Sequence, residues 1–484
     1  MILPMMLQRQ KVMSLVSRTK IQPKTIANFI SSRRLGFHAL FHTQTVHWRT
    51  DEEVVECCQL FSFRPLDSNP LQALTANDTT RSTAALHHIR TGEALVYTGG
   101  DYHNARQLLQ AVKRKIAGTS SSPRRKKRAK EKKKITGAVE TNTAPFVVGN
   151  QWMKQRQLQR DQSELVHKIF IQVSLEDGRP SQIMGLKRTP TNVKDIFSYA
   201  FQNDKVMNVK GGEISSSSQP KYFLASLADF LAMVGGYEWH RKGVYIDALQ
   251  DYIFPHFGVF PPTRQDYIQL MDNINVDRTT RQNPIRMMEI GIGSGVLSII
   301  LLQRKKVDRV IGTDINPYAI ACAKANMQQF GFQEDLILAD LFPPKAATTN
   351  EEKNRKVDVV LFNPPWIPGN AATWLDQAVY DPDQNLLRRF LLQVQHHVTE
   401  DGHVYLLLSN LGMLLGLFEE RDLYAMFQEG NLELVEVHTT KSKAEMSKSR
   451  PTKKMGKKSK HHLDAVESVK AQEVISLYYL RVSK

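Results

Sequence analysis

Residues 286–302 constrain the fold of this chain more than any other stretch. They read Arg-Met-Met-Glu-Ile, then Gly-Ile-Gly-Ser-Gly, then Val-Leu-Ser-Ile-Ile-Leu-Leu. The first five form a short buried strand and the last seven open an apolar helix. Strand, glycine turn and helix in that order let the backbone approach a ligand closely and aim a helix N-terminus at it. The spacing narrows the choice of ligand. Glycines stand at 291, 293 and 295, whereas a dinucleotide fingerprint wants its third glycine at 296, where this chain has Val. The lysine of a phosphate-binding P-loop is missing as well.

Three further strand ends carry polar residues. The run Arg309–Thr313 ends on Asp314, placed to accept both hydroxyls of a ribose, and Ile315 beside it can cover one face of an adenine. A helix is expected from Pro317 to Phe330, followed by the strand Leu336–Ala339. That strand ends on Asp340, which suits an adenine amino group, while the Leu341 N–H suits the ring. The run Val357–Phe362 ends on Asn363-Pro364-Pro365-Trp366. There the Asn363 side-chain oxygen and the Pro364 carbonyl can accept hydrogen bonds from a flat NH2 group and aim its lone pair. Pro365 stiffens the turn, and Trp366 offers a face for a planar group to stack on.

In motif order and spacing, the chain resembles the class I S-adenosylmethionine-dependent methyltransferases. Glu289 with Gly291, Gly293 and Gly295 looks like their first motif, Asp314 their second, Asp340 their third and Asn363-Pro364-Pro365-Trp366 their fourth. The resemblance implies an α/β fold, with a Rossmann-like, mostly parallel seven-stranded sheet ending in a reversed hairpin. It implies S-adenosyl-L-methionine as cofactor, no metal, and N-methylation of a nucleobase amino group or a glutamine amide. The family's usual fourth residue is Tyr or Phe, so Trp366 is a departure that leaves the acceptor open. The loop Gly258-Val259-Phe260-Pro261-Pro262-Thr263-Arg264 resembles the one before the first motif in guanine-N2 and glutamine methyltransferases. There Arg264 would meet the cofactor's carboxylate.

Downstream, an amphipathic helix from Asn385 to Val398, a strand at 402–408, a helix near 421–428 and strands at 432–437 and 474–480 complete such a sheet. The apolar stretch from Val404 to Phe418 is broken by Ser409, Asn410 and glycines, which predicts a core strand plus loop rather than a membrane span. Upstream, helices are expected near 105–116, 152–169 and 224–234, with a strand at 169–173. They predict a small α+β accessory domain over residues 51–118 and 146–270, ahead of a catalytic domain over 271–484. Cys57, Cys58 and Cys322 are too few for a disulfide framework or a zinc site, and the adjacent histidine pairs lack metal-ligand spacing.

Charge is unevenly spread. Residues 1–50, 113–134 and 439–463 carry +8, +11 and +8, so with a total of +17 the remainder carries −10. The basic stretches read as low-complexity segments: a linker at 119–145, an insertion at 439–470 and an acid-free N-terminus over 1–50. That N-terminus resembles a mitochondrial or plastid transit peptide, while the run Arg124-Arg125-Lys126-Lys127-Arg128 fits nuclear import; no secretory signal is evident. The partner expected first is RNA, methylated on an exocyclic amino group of adenine or guanine. A translation release factor glutamine comes second, and an inactive cofactor-binding partner subunit third.

Overall fold

The computed structural model describes residues 42–49, 54–62, 72–119, 145–176, 179–201, 222–276, 284–333, 335–343, 356–371, 375–441 and 472–483. The basic runs 124–134 and 442–463 and most of the N-terminal leader expectation lie outside these residues.

The first lobe begins with β1 (His42–Arg49), β2 (Val54–Ser62), β3 (Gln72–Ala76), α1 (Ser82–Arg90), β4 (Ala94–Tyr97), α2 (Tyr102–Thr119) and α3 (Pro145–Val166). It continues through β5 (Ile169–Glu176), β6 (Arg179–Ile183), α4 (Val193–Ala200), β7 (Tyr222–Ser226) and α5 (Leu227–Lys242). The strands lie in the order β4-β3-β1-β2-β7-β5-β6, and β4 pairs with β5 as well. That extra pairing closes six strands into a ring, with β6 continuing along β5. Helix α2 buries Ala105, Leu109, Val112 and Ile116, the face its periodicity marks.

Two expectations change here. Residues 42–49 are a strand paired with β2 and β3, so an unfolded leader over 1–50 does not hold for residues 42–49. Thr43, Thr45, Val46 and Trp48 give that segment its strand preference. The helix expected at 224–234 starts at Leu227, because Tyr222–Ser226 pairs with β5 instead. The Ser226 hydroxyl then accepts from the Asp229 N–H and starts the helix.

A hairpin, β8 (Val244–Ile246) and β9 (Asp251–Ile253), leads into the second lobe. Ile246, Ile253, Met271 and Ile274 pack in the core of that second lobe. In packing terms the accessory region therefore ends near Gly243, and the boundary expected at 270 moves back.

The second lobe runs β10 (Arg286–Ile290), α6 (Val296–Gln303), β11 (Arg309–Asp314), α7 (Pro317–Gln329), β12 (Asp335–Leu338) and β13 (Val357–Phe362). A short pair, β14 (Ile367–Pro368) and β15 (Tyr380–Asp381), precedes α8 (Asn385–Val394). Then come β16 (Val398–Ser409), α9 (Leu411–Leu414), α10 (Glu420–Glu429), β17 (Leu432–Lys441) and β18 (Val474–Val482). The sheet order is β12-β11-β10-β13-β16-β18-β17; β18 alone runs antiparallel to its neighbours. Chain order runs outward from β10 to β12 on one side and from β13 to β16 on the other, so the carboxyl ends of β10 and β13 flank a crevice. The central strands are buried on both faces, α6 covering one and α8 with α10 the other.

The lobes share a core. Val259 and the α7 residues Tyr318, Ala319 and Cys322 pack with the first lobe's apolar cluster. Burial pushes the Cys322 thiol up to about 12, so it packs as an apolar group. No helix among the described residues is long and apolar enough to cross a membrane.

Candidate active site

The crevice at the switch point holds a cavity of about 230 Å³. Four strand ends and the loop 258–267 contribute to its walls. After β10 the chain turns through Gly291, Gly293 and Gly295 with φ of 65°, 55° and 80°, a region other residues enter only under strain. A Cβ at Gly293 would meet nothing nearer than 3.9 Å, so the space above this turn is left for a ligand. At Gly295 the backbone conformation, not crowding, is what requires glycine.

Asp314 closes β11 and ties the turn down. Its carboxylate accepts from the Gly293 N–H at 3.0 Å and the Asn316 N–H at 2.9 Å. Burial nevertheless raises its pKa, because these amide donors only partly replace water. Asn316 caps α7 ahead of Pro317, and its side-chain N–H2 donates to the Gly258 carbonyl at 2.9 Å. The loop before the first motif is thereby fixed to the Asp314 corner of the cavity.

Glu289 is 3% exposed and lies under the glycine turn, accepting from the Ser298 N–H at 3.1 Å and from the Ser298 hydroxyl. Burial pushes its carboxyl up to about 8 against the pull of those two donors.

Past β12, Asp340 is oriented by Arg389 at 2.7 Å. Leu341 has a φ of 69°, a strained state for a residue with a side chain, worth roughly 1–3 kcal/mol. The Thr313 hydroxyl holds it there by donating to the Leu341 carbonyl at 2.6 Å. Ile315, 49% exposed, and Phe260, 47% exposed, both line the cavity and leave apolar faces for a flat ring.

Most of the expected residues meet in this one cavity: Glu289, Gly291, Gly293, Asp314, Ile315, Asp340, Leu341, Asn363 and Pro365 all line it. Gly295, Pro364, Trp366 and Arg264 do not. Gly295 caps α6 from just behind the turn. Arg264 is committed to Asp266 at 2.9 Å and Glu473 at 3.2 Å, so its expected place at the cofactor's carboxylate is corrected. Trp366 is turned away from the cavity, with its ring 5.3 Å under the Arg264 guanidinium and its edge to Tyr267, which corrects its role as a stacking face. Asn316, Phe260 and Gln377 are wall residues absent from the expected set. The Asn-Pro helix start and the Phe ahead of Pro-Pro were the available signals for the first two.

A second cavity of about 570 Å³ lies between the lobes and shares Gly258, Val259 and Leu375 with the first. Gln159, His167, Trp239 and His256 are among its walls. Burial depresses the His256 imidazole to about 4, leaving it neutral, and its Nδ1 has no hydrogen-bond partner among the described residues. Among the described residues, no group of three or more His, Cys, Asp or Glu side chains is placed to hold a metal ion.

Comparison with known proteins agrees with this geometry. The family model described as methyltransferase small domain matches residues 254–412. A provisionally named protein N5-glutamine methyltransferase of Methanocaldococcus jannaschii is 31% identical over 162 residues, 32% of this chain and 75% of that protein. A tRNA1(Val) (adenine(37)-N6)-methyltransferase of Porphyromonas gingivalis is 30% identical over 83 residues, 17% of this chain. Here the chain spans only 32% of the relative's length. Among solved structures, a ribosomal protein L11 methylase of Lactobacillus delbrueckii subsp. bulgaricus matches at 16% identity and a TM-score of 0.29, covering 49% of this chain and 87% of that one. The glycine turn, the strand-end acids and the family match define a Rossmann-like methyltransferase that uses S-adenosylmethionine. The chain belongs to the methyltransferase small domain family.

Proposed function

We propose that this protein transfers a methyl group to the exocyclic amino nitrogen of an adenine or guanine in RNA. The observation that carries the reading is the position of Asn363 and Pro365 in the wall of the cofactor cavity, at the end of β13. S-adenosylmethionine, when bound, supplies a methyl group on a positively charged sulfur. Glu289 would face the positive charge, Asp314 the ribose hydroxyls, and Asp340 with the Leu341 N–H the adenine. Asn363 Oδ1 would accept a hydrogen from the acceptor NH2, drawing the nitrogen away from planarity and turning its lone pair towards the methyl group. On transfer the new N–C bond would replace the C–S bond, whose electron pair would stay on sulfur, and the nitrogen would release its proton to solvent. The inter-lobe cavity, lined by Gln159, Gln162, Ser163, Lys113 and the partly exposed Trp239 among others, would take the rest of the acceptor.

Support for RNA comes from the basic runs in the sequence and from the tRNA relative. A second reading, a protein glutamine as acceptor, is favoured by the archaeal relative and by Trp366, which leaves the cavity without the expected stacking face. The test supplies methyl-labelled S-adenosylmethionine to RNA and protein fractions from cells lacking the enzyme. Label in nucleosides supports the proposal. Label in glutamine overturns it in favour of the second reading. Bound cofactor with no label anywhere leaves a cofactor-binding partner subunit.

A further inference from the structure

Trp366 points inward, and what it touches is the acceptor-holding residue itself. Its indole N–H donates to Asn363 Oδ1 at 2.9 Å and is shared with the Leu407 carbonyl at 3.1 Å. An indole N–H can only donate, so the Asn363 atom facing it must be the amide oxygen and not the NH2. The indole is held on its other sides. The Arg264 guanidinium lies over its face, and the Tyr267 ring meets it edge-on at 6.0 Å. Arg264 is clamped between Asp266 and Glu473, and the buried Glu473 also accepts from the Ser409 hydroxyl at 2.6 Å.

We propose that Trp366 is a positioning residue that fixes which end of the Asn363 amide the acceptor meets. An asparagine amide has two ends of similar shape and opposite hydrogen-bonding sense. If it flipped, its NH2 would face the acceptor's NH2, donor against donor, and the lone pair would not be aligned. The indole bond removes the flipped state and leaves the remaining lone pair of Oδ1 for one acceptor hydrogen. This inference rests on the reading that Asn363 receives the acceptor nitrogen. It accounts for a tryptophan at a position where a stacking residue would need no N–H. Arg264 then serves to keep the indole where its N–H reaches Asn363.

The test uses Trp366→Phe, with Trp366→Tyr as a second variant that keeps an aromatic body without the indole donor. Each is made in the wild-type chain and in Asn363→Asp. An aspartate presents two equivalent oxygens and has no wrong way round. In the wild-type background, Trp366→Phe is expected to lower kcat about tenfold, with acceptor KM and cofactor Kd within about twofold, because alignment matters in the transition state more than in binding. In the Asn363→Asp background, the same change should lower kcat by less than about twofold. An equal loss in both backgrounds would show a merely structural role and overturn the inference. So would an unchanged kcat in the wild-type background. If the wild-type chain labels neither RNA nor protein, the functional reading itself fails, a separate and distinguishable outcome.

Discussion

The two lobes each build a seven-stranded sheet and put it to opposite use. In the first, the pairing of β4 with β5 closes the sheet, so no crevice opens at a change of strand direction. In the second, the sheet stays open and its chain order reverses between β10 and β13, which is where the cofactor cavity lies. The closed sheet contributes walls through its helices, while the open one contributes strand ends. Chemistry should therefore fail most sharply when strand-end residues of the second lobe change, and acceptor capture when helices of the first lobe change.

The largest expected effect is at Asn363. Asn363→Ala should cut methyl transfer at least about a hundredfold in single-turnover assays, the scale of losing one preorganised transition-state contact. Cofactor Kd should stay within about tenfold. Loss of cofactor binding instead would place Asn363 on the wrong side of the comparison.

Next comes Asp314→Ala, which should weaken S-adenosylmethionine binding by about tenfold or more in calorimetry. Charge-assisted hydrogen bonds of this kind are worth roughly 1.5–3 kcal/mol each. An unchanged dissociation constant would remove Asp314 from the cofactor.

In the first lobe, Ala232→Phe on α5 places a ring in the inter-lobe cavity from an exposed position. Acceptor KM should rise about tenfold with cofactor Kd unchanged, since remote binding contacts are lost uniformly. If cofactor affinity falls instead, the two cavities act as one.

The last test reads stability instead of activity, as a pH slope. The folded pKa of Glu289, about 8, lies above its ordinary 4.5, so the folded chain holds an extra proton between these values. Its contribution to stability is complete below the unfolded value and is lost as pH rises through the folded one. Urea melts of the cofactor-free protein should show stability falling from about pH 5 to about pH 8, and Glu289→Gln should flatten that slope. A slope unchanged by the substitution would show that other groups carry it.

The open sheet was legible in the sequence because most of the candidate residues at its crevice stand at strand ends. Gly291, Asp314, Asp340 and Asn363 follow apolar runs, and period and punctuation suffice to place them. The closed sheet was not, because β4 and β5 are separated by two helices and a long basic stretch, and no local pattern encodes such a pairing. Arg264 failed for the same reason: its partner Glu473 lies 209 positions away. Trp366 failed differently. A hydrophobicity pattern marks an aromatic as apolar but does not say towards which side its N–H turns.

The position of β18 has a consequence for how this protein is made. Residues 474–482 fill the slot between β16 and β17, both of which precede them in the chain. During synthesis, β16 and β17 emerge with facing edges unpaired, and those edges remain open to other chains until β18 arrives. Glu473, at its threshold, arrives with it and only then engages Arg264. Until residues 474–482 arrive, the edge of β16 that β18 covers therefore has no partner, and β17, whose strand partner among the described residues is β18, has no place in the sheet. A chaperone that shields strand edges should matter most in that interval.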